Sequence, residues 1–518
     1  MNVPTGTVFS DIYPQDAISP QTLRWEALLS KFEKEYGQPA EFISRSPGRV
    51  NLIGEHIDYS LYEVLPMAVT VDVLVAFSVH PESSTLRISN VMSERFPSRV
   101  IDINPDNDVD IDDSKLEWSN YFKAGFRGVS KYLQTKYGSK KLVGMSILVD
   151  GTVPAGGGLS SSSAFVCASS LAVMTANGET SVDKKELCEL AIISERAVGV
   201  YGGGMDQAAS VFSLVGSASY VSFVPSLQVT PVAFPKTDPE LAFIVAQSFV
   251  AADKHVTAPV CYNLRVVECT IAAAVLTKIF GLKEDLPRDT SPLGSSLRGF
   301  QDLYYKEKEG VTDNSKTSIE EFQKQLDTLY TLVEDYLPQQ EGYTREQIAS
   351  ILGTTVDELN KRYMSRFPVR ADYFKLRQRS LHVFSEASRV IEFRKMLAST
   401  SDSGSKDQVL KDLGKLMNDT QDSCRDGYEC SCEELDELCA LAREAGSYGS
   451  RLTGAGWGGG SVHLVAKNKI DKVKKIWEDR FYRKRWPDIS AERLKEAIVV
   501  SEPGSGSYLY KVTGSKIL

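Results

Sequence analysis

Pro154-Ala155-Gly156-Gly157-Gly158-Leu159-Ser160-Ser161-Ser162-Ser163-Ala164 stands between two segments of opposite character. Residues 143–149 before it are apolar and β-branched, as in a strand, and 164–176 after it run without a breaker along a continuous apolar face, as in a helix. Strand, loop and helix in that order leave unpaired backbone N–H groups at the helix start, which is an anion cradle. Three consecutive glycines let the backbone approach a phosphate without Cβ clashes, while the serines add hydroxyl donors and a ligand for Mg²⁺. A tight turn with a serine N-cap accounts for one Gly and one Ser, not for three glycines beside four serines. The loop therefore reads as a seat for MgATP. It is not a Walker A loop, because no G-x-x-x-x-G-K-[ST] occurs, and the H-R-D and D-F-G motifs of protein kinases are absent too.

Working outward, 42–79 alternates turn signals with apolar runs, of which 64–69 and 71–77 read as strands. Inside this stretch, Arg45-Ser46-Pro47-Gly48-Arg49-Val50-Asn51-Leu52-Ile53-Gly54-Glu55-His56-Ile57-Asp58-Tyr59 packs two arginines, two acids after Gly54 and a histidine between apolar residues. Glu55, His56 and Asp58 supply many donors and acceptors, which suits a ligand made mostly of hydroxyl groups, such as a sugar. A surface loop with ordinary ion pairs is the other reading, and this segment by itself does not choose between them. Downstream, Tyr201-Gly202-Gly203-Gly204-Met205-Asp206-Gln207-Ala208 puts a lone carboxylate at a helix start, where the dipole favours its ionised form. The second glycine cluster, 454–460, formally satisfies G-x-G-x-x-G, but 461–466 alternates like a strand where a dinucleotide motif needs a helix. It reads as a tight loop near the nucleotide.

Helices are expected at 21–36, from a Ser181 cap to near Gly199, at 263–280 and at 373–396. With 518 residues the chain is too long for one core, and the pattern shift near 240 divides it into 1–240 and 241–518, with a polar insertion near 283–316. A formal charge of −9 favours no nucleic-acid partner. No apolar run reaches the roughly 18 residues that span a bilayer, and the polar start does not read as a signal peptide, so a cytoplasmic address is expected. Eight cysteines without a C-x-x-C pair read as reduced thiols, and 432–439 reads as an amphipathic helix in preference to a zinc site.

Three segments in order, 47–59, 156–164 and 454–460, resemble the three motifs of the GHMP small-molecule kinases. The first, P-G-R-V-N-L-I-G-E-H-x-D-Y, is similar to the signature of galactokinases, as is Gly203-Gly204-Met205-Asp206-Gln207, and the likeness is strongest to the fungal type. The resemblance implies a two-lobed α/β (α+β) fold with mixed sheets and helices in both lobes and an active site between them. It further implies transfer of the γ-phosphate of ATP to the C1 hydroxyl of galactose. In that scheme Asp206 is the acid–base partner and Arg49 stabilises the transferring phosphate. Glu55, His56, Asp58, Gly203 and Tyr262 hold the sugar. Gly156, Gly157, Gly158, Ser160, Ser161 and Ser162 cradle phosphates, Trp118 and Tyr121 flank adenine, and Ser162 with Glu195 binds Mg²⁺. The closely similar N-acetylgalactosamine kinases share many of these stretches. Some fungal relatives are galactose sensors that dock on a transcriptional repressor and have a shortened serine loop; the full-length loop here implies catalysis and leaves open a sensor role in addition, with such a repressor as partner.

Overall fold

A computed structural model describes the chain except residues 16, 105, 107, 113–116, 139–140, 199–201, 251–256, 366–368, 400–405 and 514–518. Two compact units result: Met1–Val50 with Pro66–Ser219 and Ser501–Leu518, and Asn51–Leu65 with Tyr220–Val500. The chain crosses between them at 50/51, 65/66, 219/220 and 500/501, not once near residue 240.

The first unit carries a seven-stranded sheet in the order Thr5–Gly6, Tyr508–Lys511, Phe42–Ile53, Leu65–His80, Gly144–Gly151, Thr85–Asn90 and Arg99–Asp102. Leu65–His80 is one strand where the sequence reads as two, because an unbroken antiparallel ladder with Gly144–Gly151 holds its second half, with Val75 opposite Val149. Asp72 on this strand is fully buried and accepts from Arg45 at 2.8 Å, Arg24 at 2.6 Å and the Tyr13 hydroxyl at 2.5 Å. Burial alone would raise its pKa, but the two guanidinium groups outweigh that and hold the carboxyl below its usual range. Ser161–Ala176 is buried on every side from Ser163 to Met174 and packs against helices Asn120–Tyr137 and Lys184–Glu195. Each large apolar side chain so enclosed contributes about 1.5–3 kcal/mol. The cap of Lys184–Glu195 is Asp183, not Ser181: its carboxylate accepts from both Lys185 N and Glu186 N. Gly199, where that helix was expected to end, lies outside the described residues.

The second unit holds a four-stranded sheet in the order Gly449–Thr453, Gly460–Ala466, Leu241–Gln247 and Ile498–Ser501. Its helices Tyr262–Ile279 and Leu376–Ser399 match the expected pair within a few residues at each end. The stretch 283–316 is not a continuous polar insertion, for within it Leu297–Glu309 is a helix capped by Ser296 that buries Leu297, Phe300 and Leu303. Cys432 occupies the N-cap position of helix Glu433–Ala445 without a side-chain cap bond, and all eight cysteines are free. Among the described residues no helix is long and apolar enough to cross a membrane, and no group of three or more His, Cys, Asp or Glu side chains is set to hold a metal.

Candidate active site

In the first unit the glycine–serine loop, the strand Phe42–Ile53 and the helix Met205–Phe212 converge on one ion pair. Arg49 donates from Nε to Asp206 Oδ1 at 2.8 Å and sits at 2.7 Å from it through a terminal nitrogen. The Ser160 hydroxyl donates to Asp206 Oδ2 at 2.7 Å, and Arg49 also reaches the Gly158 carbonyl at 2.8 Å. The guanidinium is buried, whereas the Asp206 carboxylate keeps 31% of its surface open. Strand and loop can meet only because residue 48 lacks a side chain: a Cβ there would stand 2.7 Å from the Leu159 carbonyl oxygen. Gly156, Gly158 and Ser160 all take positive φ, which turns the chain into helix Ser161–Ala176 with no side-chain cap on its first amides. Asp206 occupies the first turn of its own helix, where the dipole favours a negative charge.

Beside this pair, Glu195 is 2% exposed and accepts from the Ser163 hydroxyl at 2.6 Å and from Gln207 at 2.5 Å, both on Oε2. Ser163 and Gln207 carry no role in the sequence reading, although Gln207 follows Asp206 directly. Ser162 lies half-buried in the first turn of the same helix. Trp118 stacks on Phe165 with ring centroids 6.1 Å apart, and burial followed by the nearby Glu195 charge pushes the Tyr121 phenol up to about 12. Gly203 lies half-buried just before the helix that carries Asp206, in the first unit with them.

Glu55, His56, Asp58 and Tyr262 gather in the second unit. The turn 54–61 holds three left-handed residues, Gly54, His56 and Leu61, two of them with side chains. Such a conformation costs about 1 kcal/mol or more per residue and persists only where neighbours fix it. The fixing groups are numerous. Glu55 pairs with Arg451 and accepts from Gly454 N at 3.2 Å. His56 Nδ1 meets the Tyr59 hydroxyl at 3.0 Å, its Nε2 the Ala455 carbonyl at 3.0 Å, and its ring lies 5.4 Å from that of Tyr262. Asp58 is 6% exposed and accepts from Tyr59 N at 2.9 Å. Burial works against the His56 imidazolium, but Cys430 and Glu55 outweigh it and the proton is held more tightly than usual. In the same exchange the Cys430 thiol, despite burial, is drawn down to about 5 by Cys424, His56 and Arg265.

The glycine cluster 454–460 joins strands Gly449–Thr453 and Gly460–Ala466 as the loop of an antiparallel pair. Gly456 is pressed against Cys430, whose carbonyl oxygen a Cβ would approach to 2.1 Å, and Trp457 N donates to that same oxygen at 2.7 Å. Arg451, Cys430 and Tyr428, whose ring lies 5.1 Å from that of His56, thus belong to the surroundings of Glu55 and His56, although the sequence gives none of the three a role.

Comparison with known proteins covers the same stretches of chain. The galactokinase galactose-binding signature matches residues 30–79, the GHMP kinases N terminal domain 120–213, and the GHMP kinases C terminal model 404–484. The galactokinase of Saccharomyces cerevisiae is 39% identical over 95% of this chain and 96% of its own length. That of Candida parapsilosis is 39% identical over the whole of both chains, and that of Schizosaccharomyces pombe 37% identical over 94% and 95%. The crystal structure of Lactococcus lactis galactokinase complexed with galactose superimposes with a TM-score of 0.63 at 21% identity, covering 93% of this chain and 99% of that one, and so shares the mixed α/β fold. Identity of this degree, sustained from end to end with fungal enzymes and signed at the stretch containing 54–58, makes the chain a member of the galactokinase family of GHMP kinases.

Proposed function

We propose that this enzyme transfers the γ-phosphate of ATP to the C1 hydroxyl of galactose, giving galactose 1-phosphate and ADP. The observation that carries the reading is the Arg49–Asp206 pair at the end of the triple-glycine loop, a buried cation holding a carboxylate that remains open to a ligand. Asp206 orients the C1 hydroxyl and takes its proton as that oxygen bonds to phosphorus and the bond to the β-phosphate oxygen breaks. Arg49, fixed on the Gly158 carbonyl and Asp206, stabilises charge on the transferring group, so that positioning and electrostatics supply most of the acceleration. Glu55, His56, Asp58, Gly203 and Tyr262 hold the sugar by hydrogen bonds and ring contact. The 156–161 amides and hydroxyls cradle the phosphates, and Trp118 and Tyr121 lie beside adenine.

The Mg²⁺ that kinases of this kind use fits the donors present. Glu195 and Ser162 offer oxygen ligands only, and Ser163 and Gln207 already orient the buried carboxylate, as a hard cation bound through one carboxylate and substrate phosphates requires. Bound there, the ion would offset phosphate charge. Free cysteines agree with the cytosolic address that goes with this reading. N-acetylgalactosamine kinase and repressor-docking sensor are not favoured, since the full-length relatives described above are galactokinases.

The test is a coupled assay of purified protein with MgATP and a panel of hexoses. Galactose should be turned over, and Asp206→Ala should lower kcat by about 10²–10⁴-fold. Wild-type turnover in that variant would remove Asp206 from the chemistry, and turnover of N-acetylgalactosamine in preference to galactose would reassign the substrate.

A further inference from the structure

The turn that carries Glu55, His56 and Asp58 is held by a helix that lies outside all three matched family segments. On Leu376–Ser399, His382, Glu386 and Val390 recur at four-residue intervals and so share one face. Glu386 is fully buried, and its Oε1 accepts from two successive backbone amides, Gly54 N at 2.7 Å and Glu55 N at 3.0 Å. Its Oε2 accepts from Thr420 Oγ1 at 2.8 Å and Arg389 Nε at 2.8 Å. One turn earlier, His382 Nε2 stands 2.9 Å from the Glu55 carbonyl oxygen, while Nδ1 meets Ser423 Oγ at 2.8 Å. One turn later, Val390 packs so close that a Cβ at Gly54 would come within 3.1 Å of it. The helix thus engages both amides and a carbonyl of a turn whose next residue, His56, is left-handed.

We propose that Glu386 and His382 are positioning residues for the sugar: they touch neither substrate nor reacting atom, but fix the backbone from which Glu55, His56 and Asp58 project. This rests on the reading of 54–58 as the sugar-holding turn. A carboxylate suits the task because one ionised oxygen can take two amides in charge-assisted bonds. Burial keeps His382 neutral, lowering it to about 3, so Nε2–H donates to the Glu55 carbonyl while Nδ1 accepts from Ser423.

Two pairs of variants test the claim. Glu386→Gln keeps an oxygen for both amides and His382→Gln keeps an N–H donor, whereas Glu386→Leu and His382→Phe keep neither. The Leu and Phe variants should raise the KM for galactose by about tenfold or more with the KM for ATP within about twofold, and the two Gln variants should restore much of the loss. Amide exchange at Gly54 and Glu55 should quicken in Glu386→Leu. If Glu386→Leu does not fold, the His382 pair decides. A folded Leu or Phe variant with unchanged galactose KM, equal rises in both KM values, or unaltered amide protection overturns the proposal. A wild-type chain inactive on galactose would instead overturn the functional reading, with the exchange experiment still judging the clamp.

Discussion

Arg49 with Asp206 in the first unit and the 54–58 turn in the second are built on opposite plans. The first is a single ion pair whose acid is nearly one-third exposed; the second is a crowded network in which Glu55, His56 and Asp58 are all less than one-tenth exposed. In the proposed reaction the carboxylate exchanges partners during turnover, so leaving it open to the ligand has a use. Side chains that read hydroxyl positions gain from being locked beforehand, because ordering lost on binding weakens discrimination. Chemistry and recognition should therefore respond differently to mutation.

The largest contrast is in rate. Asp206→Asn should lower kcat by about 10²–10⁴-fold while its melting temperature stays close to wild type, because the group is solvent-accessible. A matching loss of stability would show that the pair is structural. Arg451→Met should do the reverse to the other network. It leaves Glu55 buried without its cation, which costs about 3–5 kcal/mol, read as a fall in denaturation midpoint. A small effect there would mean that Glu55 is less tightly held than its burial indicates.

Acid sharpens the comparison further. His463, beside Trp477 in the second unit, is lowered to about 3 by burial and then by Arg443. Between its unfolded value of about 6.5 and 3 the unfolded chain binds a proton that the folded one refuses, so the neutral ring's stabilisation is complete above about 6.5 and falls with pH by up to about 1.4 kcal/mol per unit. His463→Leu should flatten the change in stability between pH 7 and 5, and parallel curves would refute the assignment. The smallest effect belongs to Lys306 and Glu284, an ion pair with both side chains about half exposed. Lys306→Ala should alter stability by no more than about 0.5 kcal/mol and leave both KM values alone.

What sequence could foresee follows from the range of the forces involved. Helix Ser161–Ala176 was legible because a breaker-free apolar run after a glycine loop has few other solutions, and Asp206 and Arg49 stand in stretches dense with unusual residues. The two strands expected at 64–69 and 71–77 are one because ladder bonds from Val73 onward, to residues some seventy positions away, hold the chain extended in a way no local pattern displays. Leu297–Glu309 was hidden since its few buried apolar residues, Leu297, Phe300 and Leu303 with Tyr305, are diluted by polar neighbours. Glu386 was beyond reach: its partners lie 331 and 332 positions earlier, and an acid on a helix face looks solvated until the turn it holds is in place.

The last strand also bears on how the molecule is made. Tyr508–Lys511 lies between Thr5–Gly6 and Phe42–Ile53, and the Arg45 guanidinium, wholly enclosed, donates to the Ser505 and Gly506 carbonyls at 2.8 and 2.9 Å. Synthesis brings those acceptors 460 and 461 positions after Arg45. The second unit, which ends at Val500, therefore has all its residues before the first has closed its sheet, and the Arg45 cation waits for its acceptors. A chain cut before Pro503 would keep every glycine motif and yet lack the strand and the carbonyls that seal the unit holding Arg49 and Asp206.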